Sequence, residues 1–218
     1  MNATSPKVCL DPAKIERQSF KAIEALVPEP RPFAGGEWEV ARRLVHTSAD
    51  FELLELLRFS ARAVEAGVAA LRSGAAIVTD TRMCQAGIPA RRLDPLGCRT
   101  LCYMDDPDIE ARARELGVTK ARLAVERASE ISGPVIFAVG NAPTALLRLL
   151  EMMDQGMAAP DLVIGMPVGF VNAAESKELL LKRRDVEYIA IQGRKGGSAL
   201  AAACVNALAE LALRARPV

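Results

Sequence analysis

The chain is poor in aromatic residues, poorer still in histidine, and has no long apolar run. Aromatics make up 4% of its 218 residues, although half of the residues are hydrophobic. The core must therefore be built from Ala, Val, Leu and Ile, as in parallel sheets covered by helices. No run approaches the roughly 20 apolar residues that span a bilayer. The N-terminus is polar and carries no apolar signal core. A cytoplasmic protein without membrane contact is expected. Neither charge sign is in excess: 28 Lys and Arg stand against 27 Asp and Glu, a net charge of +1. That balance gives no support for nucleic-acid binding, but leaves a local basic pocket open. The cysteines, Cys9, Cys84, Cys98, Cys102 and Cys204, are odd in number and form no CxxC pair. Reduced, mostly buried thiols are expected, with no metal site.

Several signatures are also absent. No glycine-rich loop ends in Gly-Lys-Ser/Thr, and no GxGxxG follows the first apolar strand. No serine sits in a GxSxG elbow, and the one histidine has no evident Ser or Cys nucleophile beside it. These gaps argue against nucleotide-dependent, hydrolytic and redox chemistry. They leave a reaction that needs one proton relay and firm positioning of its substrate.

What is present is organised around that histidine, His46. Trp38, Val40, Ala41, Leu44 and Val45 recur at helical spacing, predicting a short amphipathic helix that ends at His46. Thr47 reads as the start of a new helix with Asp50 as its capping-box partner. That helix should run from Phe51 to about Arg72. His46 would then sit in a helix–helix corner, where imidazole is suited to giving and taking a proton near neutral pH. The helix end favours its protonated form, and Arg43, one turn earlier, opposes it if both point the same way. A hydrogen-bonded structural histidine fits the same position.

Residues 1–10 form a loose lead. Asp11 can cap a first helix with Pro12 at its first position, on which Ser19 is either a solvated face residue or a hydroxyl aimed at a ligand. Pro28, Pro30, Pro32 and Gly35-Gly36 make a connector too short to separate domains, so residues 1–218 read as one domain. Short apolar runs follow at 75–79, 99–104, 134–139, 161–164 and 186–191. Helical patterns fall at 107–116, 120–131, 142–157, 173–183 and 198–214. The alternation predicts an α/β fold with a parallel sheet covered on both faces.

In such a sheet, ligands bind beyond the carboxyl ends of the strands, near the point where strand order reverses. Four segments fall there: Asp80-Thr81-Arg82-Met83, Gly140-Asn141-Ala142-Pro143-Thr144, Gly165-Met166-Pro167-Val168-Gly169-Phe170-Val171 and Gly193-Arg194-Lys195-Gly196-Gly197-Ser198. Three place glycine just before a helix, where free backbone N–H groups bind anions. Asp80, Met83, Asn141, Thr144, Met166, Val168, Gly169, Arg194 and Gly197 are therefore candidate ligand contacts. Tight strand-to-helix turns explain any one of these loops equally well. Together they favour a face for a ligand with several negative groups and a broad apolar body.

The segments Ile15-Glu16-Arg17-Gln18-Ser19-Phe20, Arg43-Leu44-Val45-His46, Gly140-Asn141-Ala142-Pro143-Thr144-Ala145-Leu146, Gly165 to Val171 with Ala173-Ala174-Glu175-Ser176-Lys177, and Gly193 to Ser198 resemble the precorrin-8X methylmutase family from about residue 11 onward. The resemblance implies an isomerase of cobalamin biosynthesis that moves a methyl group from C-11 to C-12 of a contracted tetrapyrrole, with no separate cofactor. It implies a homodimer and a Rossmann-like three-layer α/β/α sandwich around a five-stranded parallel sheet. His46 corresponds to the family's catalytic histidine, Ser19 and Arg43 to substrate-side positions. Lys120 stands where many members have arginine; it keeps the charge but not the bidentate fork, and Arg122 could share its role. A non-catalytic tetrapyrrole carrier is the alternative. The stretches 79–83 and 103–107 point, on resemblance, toward the cobalt-bearing substrate, and both routes stay open.

Overall fold

In the computed structural model, which describes residues 10–214, the chain enters through helix α1 (Pro12–Leu26). Asp11 caps it by accepting from the Lys14 N–H at 3.2 Å. Pro12 takes the first helical position, where its missing N–H has no partner to lose. The loose lead and Cys9 lie outside the described residues. Helix α2 (Gly35–Ser48) runs two residues past His46. Thr47 does not open a new helix as expected. Its hydroxyl donates to the Arg43 carbonyl one turn back, at 2.9 Å. Ala49 then closes α2 in the left-handed region, at φ 54°, its N–H donating to the Val45 carbonyl. Nor does Asp50 complete a capping box: its carboxylate accepts from the Glu52 N–H and the Lys195 ammonium.

Residues 51–72, expected as one long helix, divide into α3 (Leu53–Leu56), strand β1 (Leu57–Phe59) and α4 (Ala63–Arg72). The chain continues through β2 (Ala76–Thr79), α5 (Arg82–Ala86), α6 (Ala90–Leu93), β3 (Arg99–Leu101), α7 (Pro107–Leu116), α8 (Lys120–Arg127) and β4 (Val135–Val139). It ends with α9 (Pro143–Asp154), β5 (Leu162–Gly165), α10 (Ala173–Leu181), β6 (Tyr188–Ile191) and α11 (Ser198–Arg214).

The six strands form one sheet in the order β1-β6-β5-β4-β2-β3. Pairing is parallel from β3 through β6, and antiparallel between β1 and β6. The sheet is thus not the all-parallel five-stranded one expected. The leucine-rich stretch before Ser60 suits either period, and the open edge of β6 decides between them. Leu57, Arg58 and Phe59 pair with Ile191, Ala190 and Ile189. Ser60 extends the contact, its N–H donating to the Tyr188 carbonyl and its hydroxyl accepting from the Tyr188 N–H. Covering an exposed edge in this way removes a site for unwanted strand pairing.

Both sheet faces are buried, which is why the strands lack polar alternation. Ile77, Ile136, Ala138, Leu162, Ile164, Ile189 and Ile191 face one side, with buried residues of α2, α4 and α11. Val78, Phe137, Val139, Val163 and Ala190 face the other, with α8, α9 and α10. Each large side chain so buried contributes about 1.5–3 kcal/mol relative to exposure. Cys84, Cys98, Cys102 and Cys204 are free and buried. Among the described residues no helix is long and apolar enough to cross a membrane.

Candidate active site

His46 lies half-buried near the C-terminal end of α2. The Phe20 ring of α1 meets it at 5.1 Å between centroids, tilted by 59°. Phe20 is in turn covered by two guanidinium groups, with Arg42 at 4.4 Å and Arg43 at 4.7 Å from the ring centroid. Such contacts contribute about 0.5–1 kcal/mol or more as water is excluded.

Arg43 is buried, and its guanidinium is engaged by two carboxylates. One arm bonds Glu16 at 2.6 Å, and another bonds both Glu210 oxygens at 2.8 Å. Arg92 reaches the same Glu210 carboxylate. The hydrogen bond and charge of Arg43 hold the Glu16 carboxyl below its usual range against partial burial, with Arg92 and His46 acting in the same direction. Ser19 is half-buried on the same helix, its hydroxyl donating to the Ile15 carbonyl at 2.9 Å. The histidine therefore stands in a corner whose packing partner, Phe20, is held by a paired cationic network.

Strand order reverses between β2 and β4, because β3 lies on one side of β2 and the later strands on the other. At that crevice Asp80 is 4% exposed, and its carboxylate accepts from the N–H groups of Gly140, Asn141 and Ala142 at 2.9, 2.7 and 2.6 Å. The anion site read from the Gly140 loop is real, but the anion is the protein's own. The Asp80 carboxylate is thus engaged by the loop. Burial pushes its carboxyl above the usual range, and the three N–H donors pull against that. The start of α11 closes the crevice. The Ser198 and Thr81 hydroxyls lie 2.8 Å apart, and a Cβ on Gly140 would come within 2.6 Å of the Ser198 Cα.

The two remaining loops are joined. The Gly197 N–H donates to the Met166 carbonyl at 2.9 Å, and the Gly169 N–H to the Arg194 carbonyl at 3.2 Å. Gly196 is pressed so closely that a Cβ would fall 2.1 Å from the Met166 oxygen. Gly169 and Gly197 hold φ values of 142° and 136°, which favour glycine. Met166 is fully buried and serves packing, whereas Val168 is 42% and Phe170 88% exposed. Met83 is also largely exposed, on α5. Arg194 is exposed and carries no ion pair among the described residues. Lys195, expected to add free charge here, is instead paired with Asp50 at 2.5 Å and Glu52 at 2.6 Å. That pairing ties the segment following His46 to the loop after β6.

On the α8–α9 side, the Thr119 and Thr144 hydroxyls meet at 2.7 Å. They line an open groove of roughly 460 Å³ together with Gly117, Arg122 and Glu151. Arg122 forks onto Glu151 at 3.0 and 2.6 Å, which raises the guanidinium further above its usual range. Its charge is engaged. Lys120 is only loosely paired, 3.9 Å from Glu110, so it remains the freer cation of the two. Asn141 is exposed three residues before Thr144.

Two contributors escaped the sequence reading. Phe20 reads as one apolar residue among several on α1. Lys177 sits in a polar run that looks solvated, yet it is fully buried. Its burial follows the helical period of α10, where Ala173, Ser176, Lys177 and Leu180 share the inner face.

The model of the family described as Precorrin-8X methylmutase matches residues 14–211. A Precorrin-8X methylmutase of Pseudomonas aeruginosa is 46% identical, covering 91% of this chain and 95% of its own. A Cobalt-precorrin-8 methylmutase of Priestia megaterium is 42% identical over 93% of this chain and 89% of its own. The solved precorrin-8x methyl mutase of Thermus thermophilus superposes with a TM-score of 0.85 at 43% identity, covering 93% of this chain and 97% of that one.

Proposed function

Because the chain belongs to the precorrin-8X methylmutase family, an isomerase family, we propose that it moves a methyl group from C-11 to C-12 of precorrin-8X or cobalt-precorrin-8 by acid catalysis from His46. The product is hydrogenobyrinate or cobyrinate. The observation that carries this reading is the family match over residues 14–211, a span that holds the strand-end loops and the one histidine of the chain.

The reaction is a rearrangement within one molecule, so nothing is added and nothing leaves. Protonation by the His46 imidazole in the region of the ring C nitrogen draws electron density from the migrating centre and makes the 1,5-shift easier. The imidazole then recovers the proton. Phe20 holds the imidazole plane, and the Glu16–Arg43–Glu210 network holds Phe20. Positioning of this kind is a large part of how such a site accelerates a rearrangement.

The macrocycle carries acetate and propionate arms. Arg194, Lys120 and the free backbone N–H groups at the start of α11 offer charge and donors to them. Met83, Val168 and Phe170 offer exposed apolar surface for its faces. Ser19 and Asn141 supply polar contacts at either end of this rim. Arg43, Asp80 and Met166 shape it from beneath, and Gly169 and Gly197 provide its backbone turns. The protein acts as a single domain, in the cytoplasm, as a homodimer. Exposed Leu26 and Phe51 are apolar surface that a second copy would cover.

The test is turnover. Purified protein supplied with metal-free precorrin-8X, and separately with the cobalt-bearing form, should convert at least one, seen as a change in the visible absorbance. A carrier would bind product and convert neither.

A further inference from the structure

Among the described residues, Lys177 is the largest fully buried side chain, at 0% exposure. Its ammonium donates to one oxygen, the Lys195 carbonyl, at 2.7 Å. Among the described residues no carboxylate is bonded to it. Asp50 and Glu52 are held by the Lys195 ammonium. Glu175 and Glu178 of its own helix are exposed. On the neighbouring α9, Arg148 and Glu151 are paired together, and Asp154 is paired with Arg183. A lone cation buried without an anion costs stability. Its retention calls for another benefit.

The geometry of a trans peptide supplies one. Carbonyl and N–H of one peptide unit point in opposite directions. The Lys195 carbonyl faces inward to Lys177, so the Gly196 N–H of the same unit faces away from it. That N–H has no acceptor among the described residues, and Gly196 is only half-buried. We infer that Lys177 is a positioning residue of the tetrapyrrole site: it turns the Lys195–Gly196 peptide so that the Gly196 N–H stands ready for a substrate carboxylate. This rests on the function proposed above.

The ammonium also withdraws charge through the carbonyl it bonds, which strengthens the N–H as a donor. The neighbouring carbonyl of Met166 fixes the far side of the loop through the Gly197 N–H. Burial lowers the Lys177 pKa to about 8, so this support weakens just above neutral pH.

The experiment compares wild type with Lys177→Met, an uncharged side chain of similar length. Affinity for hydrogenobyrinate is read by absorbance from pH 6.5 to 9.5, with thermal melting and amide exchange of the Gly193–Ser198 loop alongside. Wild-type affinity should fall as pH rises through about 8. Lys177→Met should bind roughly tenfold more weakly at pH 7, lack that step, and melt no lower than wild type. Its Gly197 amide should exchange faster. Equal affinity in the two proteins, or a pH step that persists in the variant, overturns the inference. Should the variant not fold, a wild-type affinity that stays flat across pH 8 overturns it, and one that falls supports it. Wild type that binds no hydrogenobyrinate at pH 7 refutes the function proposed above. The exchange of the loop amides, faster in the variant or above pH 8, or else unchanged, then still decides whether Lys177 holds the loop.

Discussion

Phe20 stands 5.1 Å from His46, and among the described residues its ring is the one aromatic surface found against the imidazole. Because Arg42 and Arg43 lie over the same ring, the position of the imidazole depends on a network rooted in α1, α2 and α11. Phe20→Leu should fold, since the ring is only partly buried, but lower the turnover rate by roughly 10- to 100-fold through misplacement. A single histidine gives one set of imidazole NMR signals, and the variant should also shift it. An unchanged rate with an unchanged signal would remove Phe20 from the account.

The Glu16–Arg43 pair should show in the pH dependence of stability. Arg43 holds the folded Glu16 carboxyl below its ordinary value of 4.5. The group thus stabilises the fold at pH values above 4.5, and that contribution is lost as pH falls through the lower folded value. Glu16 is partly exposed, so the effect is within about 1 kcal/mol. Denaturant unfolding of wild type and Glu16→Gln should differ at pH 6 and converge toward pH 3. A gap that widens on acidification would contradict the assignment.

Asp80→Asn tests whether the crevice at the strand reversal is structural. The asparagine presents an NH2 where a carboxylate oxygen now accepts, and leaves buried N–H groups of the Gly140 loop unpaired. The expected cost is about 3 kcal/mol, a fall in melting temperature of roughly 6–12 °C. At a temperature where the variant stays folded, product affinity should change little, because the Asp80 carboxylate is already engaged by the loop. A stable variant with lost affinity would return Asp80 to the ligand contacts.

Much of this architecture was legible in the residues. The runs ending at Val139 and Ile191 and the helices at 107–116 and 198–214 fall where periodicity and caps place them. Strand β1 was not legible, because Leu57 to Phe59 pair only when β6 offers an edge, and nothing local separates the two periods there. Thr47 misled for a similar reason, since a threonine can cap a new helix or bond back to the carbonyl four residues earlier. At the candidate site, glycine loops marked the ends of strands, but sequence could not tell which donors were already taken. Asp80 fills one loop, Glu151 engages Arg122, and Asp50 and Glu52 engage Lys195. Those pairings join residues 29 to 145 positions apart, and only the fold brings them together.

His46→Ala supplied with precorrin-8 tests the proton relay most directly. Product affinity, read by absorbance titration, should stay near the wild-type value, while conversion drops by at least about 10²-fold. Conversion at the wild-type rate by a folded His46→Ala protein would contradict the proposed proton relay outright.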